Sequence, residues 1–591
     1  MRKLLFLSLF FALAATAAER PSLVVVISVD QLRYDLVDRF APWFTEGGFK
    51  RFAKSGATFP NARYRYGSTF TGPGHASIGT GRPPAESGIV GNTWFERDAP
   101  VDPKQWDWYF DDTTPYRPEG VKETPFVAEG DWWWKLGGSP RYCVYDDRVK
   151  PTKGKTSGMS PASLSEDSLG DRIKESDLNS RVIAVALKDR AAILMGGRRA
   201  DAAYWFDYRT PAFISSTYYR FDPAVFSFNN AVTGYIPATK QWTPSPFIPA
   251  ADLQRVTFDP PAAWPLKNTR YGGTFPHPVK DIRGMTYSPL GHELLLDFAQ
   301  HVIATEHLGA RSGSTDVLFV GVSSTDYLGH YYGPDSMEVA DSVVRLDRAL
   351  EHFLGALDRR FGNRVVVALT ADHGVQSNPE IVKLRDPQAD VGRVDLRNAD
   401  PKAKKISELP PLRIEIEREL AKRLGIRFDA DASLNDALVY FFEEPTLYLN
   451  WKRIAALKLD GERVKRTLRD VTAAMKTNGF SGAWTNSEIL AAGADATPLV
   501  KLVRASYRGD RSGDVILTLR PGWIWTWGSN STTHGQPVEN DLRVPLMLYG
   551  PGITPGVYDD DASPLDLAKS IGALLGVDAG GHGSHVLPCI H

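Results

Sequence analysis

Cysteine is scarce: Cys143 and Cys589 are the only two in 591 residues. Two thiols cannot build a thiolate zinc site, so any metal must be held by histidine and carboxylate. Nothing in the sequence places the pair close together, so a disulfide between them is left open. Charge of one sign is also missing. With 69 Lys and Arg against 70 Asp and Glu, the net charge is −1, which excludes the basic excess of a nucleic-acid or anionic-membrane binder. Long apolar runs are absent, apart from residues 4–14, which are too short to span a bilayer. Arg2 and Lys3 precede that run and Ala15-Thr16-Ala17 follows it, the pattern of a signal peptide over residues 1–18. The chain is therefore expected to be exported, to a periplasmic or secreted location. There is no internal repeat, no low-complexity tract and no coiled-coil heptad, and a monomer is expected.

What the chain does contain is a series of unbroken β-branched runs. Residues 23–30, 181–187, 317–322, 365–369, 514–519 and 544–549 read as strands buried on both faces, the signature of a parallel sheet. Apolar residues at helical spacing predict helices over 291–307, 339–357, 415–424 and 565–575. The fold class is α/β, a mostly parallel sheet sandwiched by helices, over residues 19–591. Stretches around 93–180, 198–283 and 385–510 lack clean periodicity and read as insertions capping the active edge. They are rich in aromatics, as in Asp131-Trp132-Trp133-Trp134, which read as packing or loop anchors.

Chemistry gathers where the strands end. In open α/β sheets, ligands bind beyond the carboxyl ends of the strands. Asp30 ends the first run, Lys188-Asp189-Arg190 follows the second, Asp326 and His330 follow the third, and Asp372-His373 ends the fourth. His534 lies in a late Thr-Thr-His-Gly loop. Asp326 and His330 are four apart, so one helical turn puts both on one face. Lys188 and Arg190 point the same way if that segment is extended. Thr71 stands in Ser68-Thr69-Phe70-Thr71-Gly72-Pro73-Gly74-His75, where glycines open the backbone and a helix start offers N–H groups to an anion. Asn92 closes a glycine-bracketed loop and has an amide to donate to an oxyanion. Each residue alone also has an ordinary reading, Asp30 as a helix cap and Asn92 as a turn residue. Together, six imidazole and carboxylate groups divide into two sets of three. Two metals held about 3.5–4 Å apart suit in-line phosphoryl transfer.

This arrangement resembles the alkaline phosphatase superfamily over the whole core, from Asp30 to His534. It is most similar to the monomeric, exported bacterial phosphatases of the phosphate-irrepressible, PafA-like type. The motifs that carry the likeness are Thr71-Gly72-Pro73-Gly74-His75, Gly91-Asn92-Thr93-Trp94 and Ala186-Leu187-Lys188-Asp189-Arg190. The resemblance implies two zinc ions per chain. One is held by Asp326, His330 and His534; the other by Asp30, Asp372, His373 and the oxygen of Thr71. It makes Thr71 the nucleophile and gives Asn92, Lys188 and Arg190 the phosphate oxygens of small-molecule monoesters. It also gives Lys188 the electrostatic place of a third metal ion, for which no carboxylate set is evident. A formylglycine-forming sulfatase motif is excluded, because Thr71 and His75 stand at its key positions. A phosphodiesterase or nucleotide pyrophosphatase with the same metals is the alternative; the Lys188/Arg190 pair favours the monoesterase. His75 and His277 lie in motif-like contexts without an assigned role.

Overall fold

The computed structural model describes residues 20–106, 137–154, 158–258, 274–475, 478–526 and 530–591. The expected signal peptide and the Asp131–Trp134 run lie outside them. The framework is a nine-stranded sheet. Its centre is four parallel strands: β1 (Leu23–Val29), β2 (Val182–Ala186), β3 (Asp316–Val322) and β4 (Val365–Thr370). Across the sheet they stand in the order β4, β1, β3, β2, each hydrogen-bonded in parallel to the next. All four are buried on both faces, which is why they read as continuous apolar runs. Alternate residues go to opposite sides: Leu23, Val25 and Ile27 join one core cluster, Val24 and Val26 the other.

The sheet is wider than the sequence suggested. Ala202–Asp207 adds a parallel strand beside β2 and Ala212–Ile214 an antiparallel one beyond it. Both lie in the stretch 198–283 that read as an insertion. At the other side, Leu546–Tyr549 runs antiparallel to β4, followed by Gly56–Thr58 and Gly556–Val557. One strand belongs elsewhere. Residues 514–519 read as a return to the core, but Val515–Leu519 lies in a separate four-stranded antiparallel sheet with Val439–Glu443, Thr446–Leu449 and Phe480–Thr485. That sheet has its own apolar core, including Ile416, Leu420, Val464, Leu468 and Leu517.

Three helices position the site. α1 (Thr71–Thr80) and α2 (Asp189–Gly196) cover one face of the main sheet, and α3 (Ser324–Tyr332) follows β3 directly. α1 lies hard against α2: a Cβ on Gly79 would come within 2.8 Å of the Leu194 carbonyl oxygen. Cys143 and Cys589 are both buried and are not joined by a disulfide. Among the described residues, no helix is long and apolar enough to cross a membrane.

Phe319, fully buried on β3, gives a test of this framework. Phe319→Ala should cost about 3–5 kcal/mol by cavity formation, read as a large fall in the thermal midpoint. A midpoint within a degree of the parent would contradict the central placement of β3.

Candidate active site and metal centre

The four parallel strands deliver their polar residues side by side. In sheet order, β4 leads to Asp372-His373, β1 to Asp30, β3 into α3 with Asp326 and His330, and β2 to Lys188. Adjacent strands lie about 4.8 Å apart, so these groups converge without long loops. Thr71 opens α1, with Phe70 as its extended N-cap residue. His534 comes in on a loop held against the segment before Thr71, its Nδ1 2.7 Å from the carbonyl oxygen of Thr69.

The carboxylates and imidazoles interlock. Ligand atoms of Asp30, Asp372 and His373 lie within 4.8 Å of one another, as do those of Asp326, His373 and His534. His373 belongs to both groups, and its ring stacks on His534 at 3.6 Å between centroids. His330 joins through Asp326, its Nε2 3.3 Å from Oδ1 one helical turn away. Each of the three imidazoles is turned the same way. Nδ1 of His330, His373 and His534 sits at 2.9, 2.9 and 2.7 Å from the carbonyl oxygens of Thr532, Gly374 and Thr69. A proton donated there leaves the Nε2 lone pair facing the acids, the tautomer a metal ligand needs. His373 Nε2 is fully buried with no hydrogen-bond partner. This donor set of oxygens and imidazole nitrogens fits zinc.

Charge says the same. Three buried carboxylates share one buried ammonium: Lys188 Nζ is 2.6 Å from Asp30 Oδ2 and 2.5 Å from Asp326 Oδ2. Burial disfavours the Lys188 cation, yet Asp30 and Asp326 hold it above its ordinary value. Burial works against the Asp326 carboxylate too, but Lys188 and His330 hold it well below the usual range. Asp30 is pushed well up by burial and by Asp372, and burial pushes Asp372 up to about 6. Burial drives His373 down to about 3, and burial with His373 beside it drives His534 down as well. Against burial, Asp326 raises His330. An acid cluster with too little compensating charge, flanked by the neutral imidazoles of His373 and His534, is a cation site by composition.

Thr71, Lys188, Asn92 and Arg190 lie beside this cluster. Lys188 Nζ lies 3.4 Å from Thr71 Oγ1. Asn92 Oδ1 accepts the Gly72 N–H at 2.8 Å, which fixes the amide and leaves its NH₂ as the donor. Lys188 and Arg190 do not lie in one extended segment. Lys188 is the N-cap residue of α2 and Arg190 sits in its first turn, so the two side chains are aimed separately. The ammonium turns to Asp30 and Asp326, while Arg190 Nη1 donates to the Tyr142 hydroxyl at 3.2 Å.

A family model described as type I phosphodiesterase / nucleotide pyrophosphatase matches residues 24–538, most of the chain. The chain belongs to that family. It is an enzyme of the alkaline phosphatase superfamily. Alkaline phosphatase PhoV of Synechococcus elongatus is 31% identical over 573 residues, covering 94% of this chain and 90% of that protein. Alkaline phosphatase PafA of Elizabethkingia meningoseptica is 28% identical over 572 residues, covering 95% and 92%. The crystal structure of wild-type PafA superposes with a TM-score of 0.79 at 26% identity, over 97% of this chain and 99% of that one. A solved PafA variant, substituted at one threonine, one asparagine, one lysine and one arginine, matches equally at 0.79 and 26%, over 98% and 100%.

Within this superfamily site, some residues carry no sequence signal. Gln31 is one. Its Nε2 donates to Asp326 Oδ1 at 2.7 Å and its backbone N–H to Asp372 Oδ1 at 3.1 Å, so it spans two of the acids. It does so with φ +66°, a conformation side-chain-bearing residues rarely adopt. Adjacency to Asp30 was the only clue. His75 is fully buried one helical turn after Thr71, with Nδ1 2.9 Å from the Thr71 carbonyl oxygen and 3.3 Å from Asp372 Oδ2; burial lowers it to about 4. It is in neither metal group. His277 is placed elsewhere, with Nε2 2.9 Å from Glu338 Oε1 and Nδ1 3.3 Å from the Tyr332 hydroxyl.

Gly74 tests how tightly α1 is set against the acids. A Cβ there would meet the Asp372 carbonyl oxygen at 2.3 Å and Asp372 Cβ at 2.6 Å. Gly74→Ala must push α1, which carries Thr71, away from Asp372. A 1 Å misplacement costs on the order of 10²-fold in rate, and a phosphatase assay should show at least that loss. Activity near the parent level would mean that α1 has slack this packing does not allow.

Proposed function

We propose that the chain is an exported, zinc-dependent phosphate monoester hydrolase working through a covalent phosphothreonine at Thr71. The observation that carries this reading is the Lys188 ammonium, locked between Asp30 and Asp326 and 3.4 Å from Thr71 Oγ1. It puts a fixed cation where a phosphoryl group would meet the nucleophile. The PafA variant adds support: its threonine and asparagine are 21 positions apart and its lysine and arginine two apart, the same separations as Thr71 to Asn92 and Lys188 to Arg190.

In this reading Asp326, His330 and His534 hold one zinc ion, and Asp30, Asp372 and His373 the other beside Thr71. When bound, the ions supply Lewis-acid charge that favours the Thr71 alkoxide and the departing oxygen. Thr71 Oγ1 attacks phosphorus, the ester oxygen leaves, and water later cleaves the phosphothreonine. Asn92 Nδ2, Lys188 Nζ and the Arg190 guanidinium bind the non-bridging oxygens. Held in place before the reaction, they favour the charge that develops there. Small-molecule monoesters are the proposed substrates. The protein is proposed to act as a periplasmic or secreted monomer, without nucleic-acid or membrane partners.

The family model's description favours a second reading, a phosphodiesterase using the same metals. A monoester dianion carries one more anionic oxygen for the two cations to engage than a diester does. Replacing Lys188 and Arg190 together by Ala should lower monoester kcat/KM by several orders of magnitude, since one preorganised donor is worth roughly 10²–10³. Diester turnover, with the same leaving group, should fall much less. Equal falls would favour the phosphodiesterase.

Thr71→Ala should abolish nearly all turnover and retain about two zinc ions per chain by elemental analysis, because six other side chains hold them. Acid quench of the parent enzyme should trap phosphate on the peptide containing Thr71. Label on another residue would refute the nucleophile assignment.

A further inference from the structure

We propose that Tyr142 is a positioning residue for Arg190, and that its strand sets the distance between Arg190 and Asn92. The inference rests on the reading of Arg190 as a phosphate-binding group. Arg190 has a long side chain with many rotamers, and its planar fork is useful only when aimed in advance. The structure supplies that aim from one rigid ring. Tyr142 is buried, at 2% exposure. Its hydroxyl accepts from Arg190 Nη1 at 3.2 Å and donates to Asp189 Oδ1. The same Asp189 oxygen accepts the backbone N–H of Arg190 at 2.6 Å. Guanidinium, hydroxyl and carboxylate thus form a chain with one proton direction, in which each hydrogen bond polarises the next. Both the base and the tip of the arginine are tied to the Tyr142–Asp189 pair.

The backbone of Tyr142 is tied to Asn92. Ser139–Tyr142 pairs antiparallel with Thr93–Glu96, with Tyr142 opposite Thr93. The next residue, Cys143, donates its N–H to the Asn92 carbonyl oxygen at 3.0 Å. One two-stranded sheet therefore holds the asparagine by its main chain and the arginine by a phenol. The two groups proposed to grip different phosphoryl oxygens share a single ruler. Tyr142→Phe would fill the same space and keep the strand pairing, but would remove the hydroxyl that accepts from Arg190 Nη1.

The test is a double-mutant cycle on the zinc-loaded, full-length enzyme, with Tyr142→Phe, Arg190→Ala and the pair. The readouts are monoester kcat/KM with p-nitrophenyl phosphate, inorganic phosphate affinity by calorimetry, zinc content and thermal midpoint. Tyr142→Phe should lower kcat/KM roughly tenfold, the scale of one hydrogen bond to a charged group. It should weaken phosphate binding in step and leave zinc content unchanged. In the Arg190→Ala background it should have no further effect, because residues that act as a unit are not additive. A full additional loss in that background would mean that Tyr142 acts on something other than Arg190, and no loss in either would mean that it positions nothing; both overturn the proposal. If Arg190→Ala itself changes neither rate nor phosphate affinity, the phosphate-binding reading fails first and takes this inference with it. Should Tyr142→Phe not fold, Asp189→Asn enters the same cycle, with the same loss and the same non-additivity expected.

Discussion

The site depends on one electrostatic constraint: three carboxylates taken out of water at neighbouring strand ends, with a single buried ammonium among them. Such a cluster is unfavourable alone, because burial penalises each charge and the acids repel one another. Lys188 satisfies part of it and keeps Asp326 ionised, while Asp30 and Asp372 are pushed the other way. Burial holds His373 and His534 neutral, while Asp326, against burial, raises His330; all three rings are aimed by main-chain carbonyls. The remaining charge deficit is a demand for cations, and it lies beside the Thr71 hydroxyl at the start of α1. Binding and reactivity are thus two sides of the same imbalance.

Much of this was legible in the sequence because parallel strands buried on both faces read as unbroken β-branched runs, and because the polar residues stand at their ends. Thr71, Asn92, Lys188 and the six metal-type side chains were found by type and position, and the structure brings them together. The outer strands were less legible. Gly56–Thr58 is too short to show a pattern, and Ala202–Asp207, Ala-Ala-Tyr-Trp-Phe-Asp, has no β-branched residue. Val515–Leu519 was recognised as a strand but put in the wrong sheet, since an apolar run reports burial and not which partner provides it. The extended geometry read for Lys188 and Arg190 failed where a helix begins one residue after the lysine. Gln31 and Tyr142 gave no signal because their roles come from contacts with residues far away in the chain.

The second sheet and the segment that follows it are hydrogen-bonded to the loops carrying His534 and His373. The Leu519 N–H, at the end of Val515–Leu519, donates to Gln536 Oε1 at 2.9 Å, two residues past His534. The Gly522 N–H donates to Gln376 Oε1 at 3.2 Å, three residues past His373. Asp541 gathers both glutamines, accepting the Gln376 amide and the Gln536 backbone N–H, each at 2.9 Å. The smaller sheet therefore bears on two imidazole-bearing loops through a buried polar network, and its orientation and theirs are set jointly.

The spread of the six metal-type residues over the chain has a consequence for biogenesis. Asp30 is made on the order of 500 residues before His534, and the strands between them pair in a sheet order that differs from their chain order. Contacts that distant are slow to form, because loop-closure entropy is lost before they reward it. No short segment of the growing polypeptide contains a full set of three of these residues, only the pairs Asp326/His330 and Asp372/His373, so nascent chains offer scavenging ions an incomplete site. Metal capture is deferred to a nearly complete molecule, whose finished geometry, and not the order of synthesis, then selects which ion is kept.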